Sequence, residues 1–111
     1  VAAFRAMQAE GANHLIVGEA EGRIVGCYQI VFIAGLSLSA ARRAQIEGVR
    51  IAPDLRGRGH GAALVADAEA RARDAGCALM QFTSNASRTD ARRFYELQGY
   101  VASHVGFKKT L

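Results

Sequence analysis

Residues 45–61 of this 111-residue chain read QIEGVRIAPDLRGRGHG, and this stretch decides the fold. Alternating apolar residues predict a strand over Ala44–Ala52, which Pro53 ends. Three alternating glycines follow, namely Gly57, Gly59 and Gly61. Apolar residues then recur at helical spacing and predict a helix through about Ala75 that buries four of them, Leu64, Val65, Ala68 and Ala72. The stretch therefore predicts a strand, a glycine-rich loop and a helix in direct succession.

The glycine-rich loop, residues 56–61, has the properties of a phosphate-binding loop. Glycine adopts positive φ and lets a ligand approach the backbone, because no Cβ is in the way. The N-terminus of the following helix offers unpaired N–H groups and a dipole that favours an anion. Arg56 and Arg58 add full positive charge. We therefore expect the N–H groups of Gly57 to Ala62, including that of His60, to hold a phosphate or pyrophosphate.

Three kinds of phosphate loop compete for this pattern. A Walker loop is excluded because the loop continues Gly61-Ala62-Ala63 and lacks the Lys-Ser/Thr pair. The dinucleotide fingerprint G-x-G-x-x-G/A is matched, but it belongs after the first strand of a parallel βαβ unit. Here an antiparallel hairpin is predicted before the loop. The third pattern, R/Q-x-x-G-x-G/A, is met at Arg56, Gly59 and Gly61.

Outside this segment, the pattern predicts antiparallel strands first and a βαβ unit later. The predicted elements are a helix end at Val1–Glu10, strands at His14–Glu19 and Arg23–Ile33, a loop at Ala34–Ala41, a strand at Ala78–Thr83, a helix from the capping-box pattern Ser87–Asp90 to Gln98, and strands at Val101–Ser103 and Val105–Leu111. We expect one domain over residues 1–111. Its class is α+β, with a mixed, mostly antiparallel central sheet flanked by helices.

Composition excludes several classes of protein. Half of the chain is apolar, too much for a disordered protein, yet no apolar run reaches the ~20 residues of a membrane span. Cys27 and Cys77 are too few and too far apart for a disulfide framework or a zinc site, so we expect no metal. A reducing, cytoplasmic compartment is the expectation.

Charge is concentrated in two segments. Residues 42–58 carry five Arg against two acids, a net of +3, and residues 88–111 carry five Lys or Arg against two acids, again +3. Two short basic segments suit a compact anionic ligand. A nucleic-acid interface would more often show a long basic stripe with interleaved aromatic residues. We therefore expect no nucleic-acid partner and no membrane partner.

The combined motifs resemble the GCN5-related N-acetyltransferase (GNAT) superfamily. Residues 45–61 are similar to that family's fourth strand and acetyl-CoA loop. Asn85 followed by ARRFYELQGY at residues 91–100 is similar to its second conserved block, and residues 103–109 are similar to the ending of its small-amine acetyltransferases. The resemblance implies a GNAT-like fold, acetyl-CoA as cofactor and a bacterial enzyme. It also implies that a first strand and most of two helices of the family pattern are missing before Val1.

The resemblance assigns roles to residues around the loop. The edge of the third strand, Val49, Arg50 and Ile51, would pair with the pantetheine arm in a slot against the strand at Ala78–Thr83. The Val49 N–H would donate to the oxyanion, unless it makes an ordinary sheet hydrogen bond. Asn85 would bond the pantetheine amides, or else be a residue of the turn leading into the helix. His60 would be a spacer with its ring in water.

Two catalytic candidates follow. Tyr95 would be the general acid that protonates the departing thiolate; the alternative is a core aromatic residue with a satisfied hydroxyl. Glu47 would be the general base, directly or through water, on the same strand face as Val49. The alternative for Glu47 is an ion pair with Arg50 or Arg42.

We therefore expect an acetyl-CoA-dependent N-acetyltransferase that transfers acetyl to a primary amine of a small molecule or peptide by direct attack. The alternative is a non-catalytic acyl-CoA-binding or sensing domain of the same fold. The arm at Ala34–Ala44, which ends in Arg42 and Arg43, would contact the acceptor and could favour one with an acidic group. A homodimer through the sheet edge or the last strands is a further expectation.

Overall fold

The computed structural model describes residues 1–111 and has the predicted α+β class. The helices are α1 (Ala2–Ala9), α2 (Ser37–Ala40), α3 (His60–Asp74) and α4 (Thr89–Leu97). The strands are β1 (Asn13–Ala20), β2 (Arg23–Ile33), β3 (Arg43–Ile51) and β4 (Leu79–Gln81), and a 3₁₀ turn covers Pro53–Leu55. None of the helices has the length and apolar character that crossing a membrane would require.

The four strands form one sheet in the order β1-β2-β3-β4. The pairs β1–β2 and β2–β3 are antiparallel, and β3–β4 is parallel with α3 as the crossover. A two-residue turn joins β1 to β2, with φ of 53° at Glu21 and 76° at Gly22. Two positive φ values are those of a turn whose twist matches the flanking strands. The predicted mixed, mostly antiparallel sheet is therefore confirmed.

Helix α3 covers one face of the sheet and supplies four of the nine buried hydrophobic residues. Its four predicted core residues are all buried: Leu64, Val65, Ala68 and Ala72. Three of them pack with buried side chains of β2 and β3, namely Tyr28, Ile30, Ala44 and Ile46. We call this the α3 face. The opposite face, which we call the outer face, carries Gln29, Gln45 and Glu47.

The secondary structure predicted for two segments of the chain is wrong. The expected strands at Val101–Ser103 and Val105–Leu111 do not form, and Val101 and Phe107 are 82% and 92% exposed. A strand needs a partner, and β4 offers an edge of only three residues instead of the six predicted at Ala78–Thr83. The predicted loop at Ala34–Ala41 contains the single turn α2, where Leu38, Ser39 and Ala40 all have positive φ.

The predicted capping box is also wrong. Helix α4 begins at Thr89 with Arg88 as its N-cap, and no side chain caps it. The Ser87 hydroxyl instead donates to Asn85 Oδ1 at 2.7 Å, and the Ser87 N–H donates to the same oxygen at 3.0 Å. A serine side chain that bonds a preceding turn is not available to cap the helix.

Candidate active site

The glycine-rich loop leaves a row of backbone donors without partners. Gly57 and Gly59 have φ of 79° and 82°, and no atom lies within 4 Å of where their Cβ atoms would be. The N–H groups from Arg56 to Gly59 donate no hydrogen bond to the protein. Helix α3 begins at His60, so its first N–H groups extend the same row. The loop therefore fits an anionic group such as a pyrophosphate.

The charges around this loop are divided between a paired and an unpaired set. Asp54 accepts two hydrogen bonds from Arg23, at 2.7 and 2.8 Å. Those bonds hold the pKa of the Asp54 carboxyl below its usual value. Arg56 and Arg58 form no ion pair. Asp54, in the turn before the loop, is thus engaged by Arg23, and the two loop arginines remain free for a ligand.

Strand β3 separates from β4 as it approaches the loop. Their pairing covers only three residues on each strand, ending at Gln45 opposite Gln81. Strand β3 continues to Ile51 and pairs there with β2 alone. The predicted edge, Val49, Arg50 and Ile51, is therefore free on the side of β4. This free edge fits an extended amide-containing chain, which could add its own hydrogen bonds like another strand.

A bulge in β3 changes which residues share a face. Cys27 pairs with Arg50 and Gln29 with Glu47, so Tyr28 alone lies opposite both Gly48 and Val49. Gly48 has φ of 59°, a value that favours glycine. The extra residue reverses the alternation beyond it. The expectation that Glu47 and Val49 share a face is therefore wrong.

Burial shows the same reversal. Ala44 and Ile46 are buried on the α3 face before the bulge, whereas Val49 and Ile51 pack against the core after it. Glu47 and Arg50 are both exposed, one on each side of the bulge. Both therefore belong to the outer face.

Glu47 is held by an amide chain that crosses the two strands. Gln81 Nε2 donates to Gln45 Oε1 at 3.0 Å, and Gln45 Nε2 donates to Glu47 Oε1 at 2.9 Å. The ion pair of Glu47 with Arg50 or Arg42 does not form. Arg42 instead lies 5.4 Å from the centre of the Phe32 ring. Sequence reasoning missed Gln45, although its two-residue spacing from Glu47 could have indicated it.

Tyr95 lies in a cluster of aromatic rings, one of which, that of Phe94, lies next to Gly61 of the glycine-rich loop. Its ring centre is 4.2 Å from that of Phe82, 5.1 Å from that of Phe94 and 6.2 Å from that of Tyr100. Burial raises the pKa of the Tyr95 hydroxyl, which Arg88 partly offsets. This hydroxyl makes no hydrogen bond to the protein, so the alternative of a satisfied core hydroxyl is wrong.

The other two tyrosines differ from Tyr95. Tyr28 Oη donates to Asp67 at 2.5 Å, and Tyr100 Oη donates to Glu69 at 2.7 Å. Burial, together with the neighbouring carboxylate, raises the pKa of both hydroxyls. Of the three tyrosines, Tyr95 is thus the one with a hydroxyl free for a ligand.

The structure places three further candidates: Asn85 follows the alternative of a turn residue, whereas His60 and the arm with Arg42 and Arg43 differ from expectation. Asn85 forms the turn leading into α4, since its Oδ1 accepts from Ser87. The His60 ring is half-buried and lines a cavity of about 260 Å³ with Asp67 and Arg71. Arg43 lies at the start of β3, six residues before Val49, which is about 20 Å along a strand. The arm with Arg42 and Arg43 is therefore remote from the free strand edge.

Comparisons with known proteins identify relatives of this chain and structures with a similar fold. The chain is 42% identical over 67 residues to the aminoalkylphosphonate N-acetyltransferase of Salmonella typhimurium, a match that covers 60% of this chain and 44% of that protein. A transcriptional regulator from Bacillus halodurans has a TM-score of 0.93 at 42% identity, over 99% of this chain and 73% of that one. A Trypanosoma brucei acetyltransferase has a TM-score of 0.80 at 26% identity, over 99% and 77%.

The chain spans less than half the length of the Salmonella relative. The sequence model of the acetyltransferase (GNAT) family matches residues 1–100, which include the glycine-rich loop, the bulged strand and Tyr95. This match covers most of the chain, and the resemblance drawn from the motifs is confirmed. The chain belongs to the GNAT family of acetyltransferases.

Proposed function

We propose that this chain transfers an acetyl group from acetyl-CoA to a primary amine of a small molecule or peptide by direct attack. The observation that carries the proposal is the run of partnerless N–H groups from Arg56 to Gly59, directly before α3 and beside a free strand edge. Such a run, with Arg56 and Arg58 beside it, suits the pyrophosphate of a CoA. The edge from Val49 to Ile51 suits its pantetheine amides. Family membership supports the same cofactor.

Acetyl-CoA, when bound, supplies the acetyl group as an activated thioester. Glu47 takes the proton that the acceptor ammonium must lose before its nitrogen attacks the acetyl carbon. The Val49 N–H donates a hydrogen bond to the charge that develops on the acetyl oxygen. As the carbon–sulfur bond breaks, Tyr95 would give its proton to the departing sulfur, and the second proton lost by the attacking nitrogen would restore the Tyr95 hydroxyl. The unbonded Tyr95 hydroxyl is free to give its proton in this way.

In this proposal, a small amine is favoured over a peptide as the acceptor. The Salmonella relative is named for aminoalkylphosphonates, which are small amines. A second candidate function is a non-catalytic acyl-CoA sensor. It is favoured by the Bacillus halodurans neighbour, which is named a transcriptional regulator. A sensor would keep the loop but would not need Glu47 and Tyr95 together.

Thermal melting tests the cofactor site. CoA and acetyl-CoA should raise the melting temperature, because a ligand that binds only the folded state stabilises it, while an oligonucleotide should not. Gly59→Ala should abolish the shift. Gly22→Ala is the matched control, because its φ of 76° strains an alanine as the 82° of Gly59 does, far from the loop. If neither CoA nor acetyl-CoA raises the melting temperature, the proposal is overturned.

Thiol release then separates enzyme from sensor. Acetyl-CoA is incubated with the protein and a panel of small amines, and free CoA is measured. We expect release that depends on both amine and protein. A protein that melts higher with CoA but releases no thiol with any amine is a sensor.

A further inference from the structure

The outer face carries two opposite charges, one on each side of the bulge. Glu47 is the last outer-face residue before the bulge, and Arg50 is the first one after it. Both are exposed, and they do not pair with each other. On a regular strand, residues three apart would point to opposite faces. The bulge at Gly48 therefore creates this juxtaposition.

Arg50 has no partner anywhere in the protein. Its side chain makes neither an ion pair nor a hydrogen bond. Its neighbour across the sheet is the small, uncharged Cys27. Glu47 is bonded by Gln45 instead, and no side chain of the protein bridges the carboxylate and the guanidinium. A guanidinium with its donors free, beside the free strand edge, is suited to a planar acid.

The placement of the two charges suits a small zwitterion. Because of the bulge, Glu47 and Arg50 lie opposite Gln29 and Cys27, which are two residues apart, so their Cα atoms are roughly 7 Å apart. An acceptor whose acid lies two or three bonds from its nitrogen spans roughly 4 Å. Both side chains are long and exposed, so their charged ends can hold such a molecule between them through a charge-assisted hydrogen bond of about 2.8 Å at each end. Its ammonium would lie at Glu47 and its acid at Arg50.

We propose that Arg50 binds an acidic group of the acceptor, so that the substrates are small amines bearing a nearby carboxylate or phosphonate. This inference rests on the proposed acetyl transfer and adds the charge class of the acceptor. It also moves the acid-binding role from Arg42 and Arg43, at the far end of β3, to a residue next to the bulge.

The test compares selectivity in three variants. The ratio of kcat/KM is measured for 2-aminoethylphosphonate and for 3-aminopropionate, each against uncharged propylamine. The wild type should prefer at least one acidic amine by about 10-fold or more, since a hydrogen bond to a charged group is worth that factor. Arg50→Ala should lower the ratio about 10- to 100-fold, and Arg50→Lys should restore part of it. Arg43→Ala, on the same strand and face, should leave the ratio unchanged.

An unchanged ratio in Arg50→Ala, or a wild type without preference for either acid, overturns the inference. The phosphonate and carboxylate arms show which acid is bound. Binding of the acidic amine, measured by the melting temperature, distinguishes a wrong role for Arg50 from a failure of the proposed acetyl transfer. With CoA present, the acidic amine should raise the melting temperature of the wild type and of Arg43→Ala, but not that of Arg50→Ala. If no amine is acetylated, this readout alone decides, and equal shifts in all three proteins reject Arg50.

Discussion

The two faces of the sheet differ in how the polar side chains of Tyr28, Glu47 and Arg50 are hydrogen-bonded. On the α3 face, the buried Tyr28 donates to Asp67, which also accepts from Arg71 at 2.9 Å. On the outer face, Glu47 is bonded only by an amide, and Arg50 has no partner. The buried Tyr28 hydroxyl needs a partner because water cannot reach it, whereas Glu47 and Arg50 are exposed to water. The difference indicates that the α3 face stabilises the fold and the outer face is available for a ligand.

The largest expected effect concerns the outer face. Glu47→Gln should lower kcat by about 10²–10⁴-fold, the usual contribution of a general base. Glutamine has the same shape and can still accept from Gln45, so the melting temperature should stay unchanged. Steady-state kinetics and a melting curve on the same sample check this. A variant with full turnover would break the comparison, since Glu47 would then be only a surface residue.

The second effect concerns the aromatic cluster. Tyr95→Phe should lower kcat by about 100-fold, because the hydroxyl that protonates the leaving sulfur is lost. Tyr100→Phe is the matched control, since it removes a hydroxyl that Glu69 already engages. That variant should melt lower and keep its turnover. Since burial raises the pKa of Tyr95, wild-type activity should persist to a pH above the ordinary tyrosine value of about 10. Full turnover in Tyr95→Phe would reject its role.

The third effect concerns the α3 face. Asp67→Asn should cost about 1–2 kcal/mol of unfolding free energy, because the charge that binds Tyr28 and Arg71 is lost. Denaturant unfolding measures this. Glu96→Gln is the control, because it disrupts an exposed pair with Arg92 that no tyrosine joins. Equal effects of the two variants would mean that the buried hydroxyl adds nothing.

The same carboxylate predicts a pH dependence. The bonds from Tyr28 and Arg71 lower the pKa of Asp67. Its stabilising contribution is therefore complete above the unfolded value of about 4 and disappears as the pH falls through the lower, folded value. The wild type should lose stability in that acidic range, and Asp67→Asn should lose less. Parallel acid curves for the two proteins would contradict this.

The smallest effect concerns the start of α4. Ser87→Ala should change the unfolding free energy by less than about 0.5 kcal/mol, because Ser87 bonds the exposed Asn85 turn and does not cap the helix. A loss of about 1 kcal/mol or more in denaturant unfolding would indicate a true cap. CoA affinity provides a second measurement. It should change more in Asn85→Ala than in Ser87→Ala if Asn85 also bonds the cofactor.

Local pattern predicted most of the fold. Three features depend only on the spacing of residues within a short segment of sequence: the hairpin, the strand before Pro53 and the core positions of α3. The last two predicted strands did not form, because pairing depends on an edge that the segment itself does not encode. The capping box was wrong for a similar reason, since Asn85 competes for the Ser87 hydroxyl.

The sequence predicted which residues form the candidate site better than it predicted how they are arranged. Glycines and arginines at a helix start indicate a phosphate loop from sequence alone. The bulge at Gly48 could not be counted from the sequence, because it is defined against Tyr28 on another strand. It changed which face Val49 occupies and brought Glu47 and Arg50 together. The bond from Gln81 to Gln45 likewise depends on the register of a parallel pair.

The strand order, which follows the chain order, has a consequence for how the protein folds. Strands β1 to β3 make a meander of sequence neighbours, whereas β4 joins only after the α3 crossover. Contacts between sequence neighbours form quickly, and distant ones form later because closing the longer loop costs more entropy. We therefore expect the junction of β3 and β4 to be the last part to assemble. Substitutions at this junction would then mainly accelerate unfolding and leave the folding rate almost unchanged.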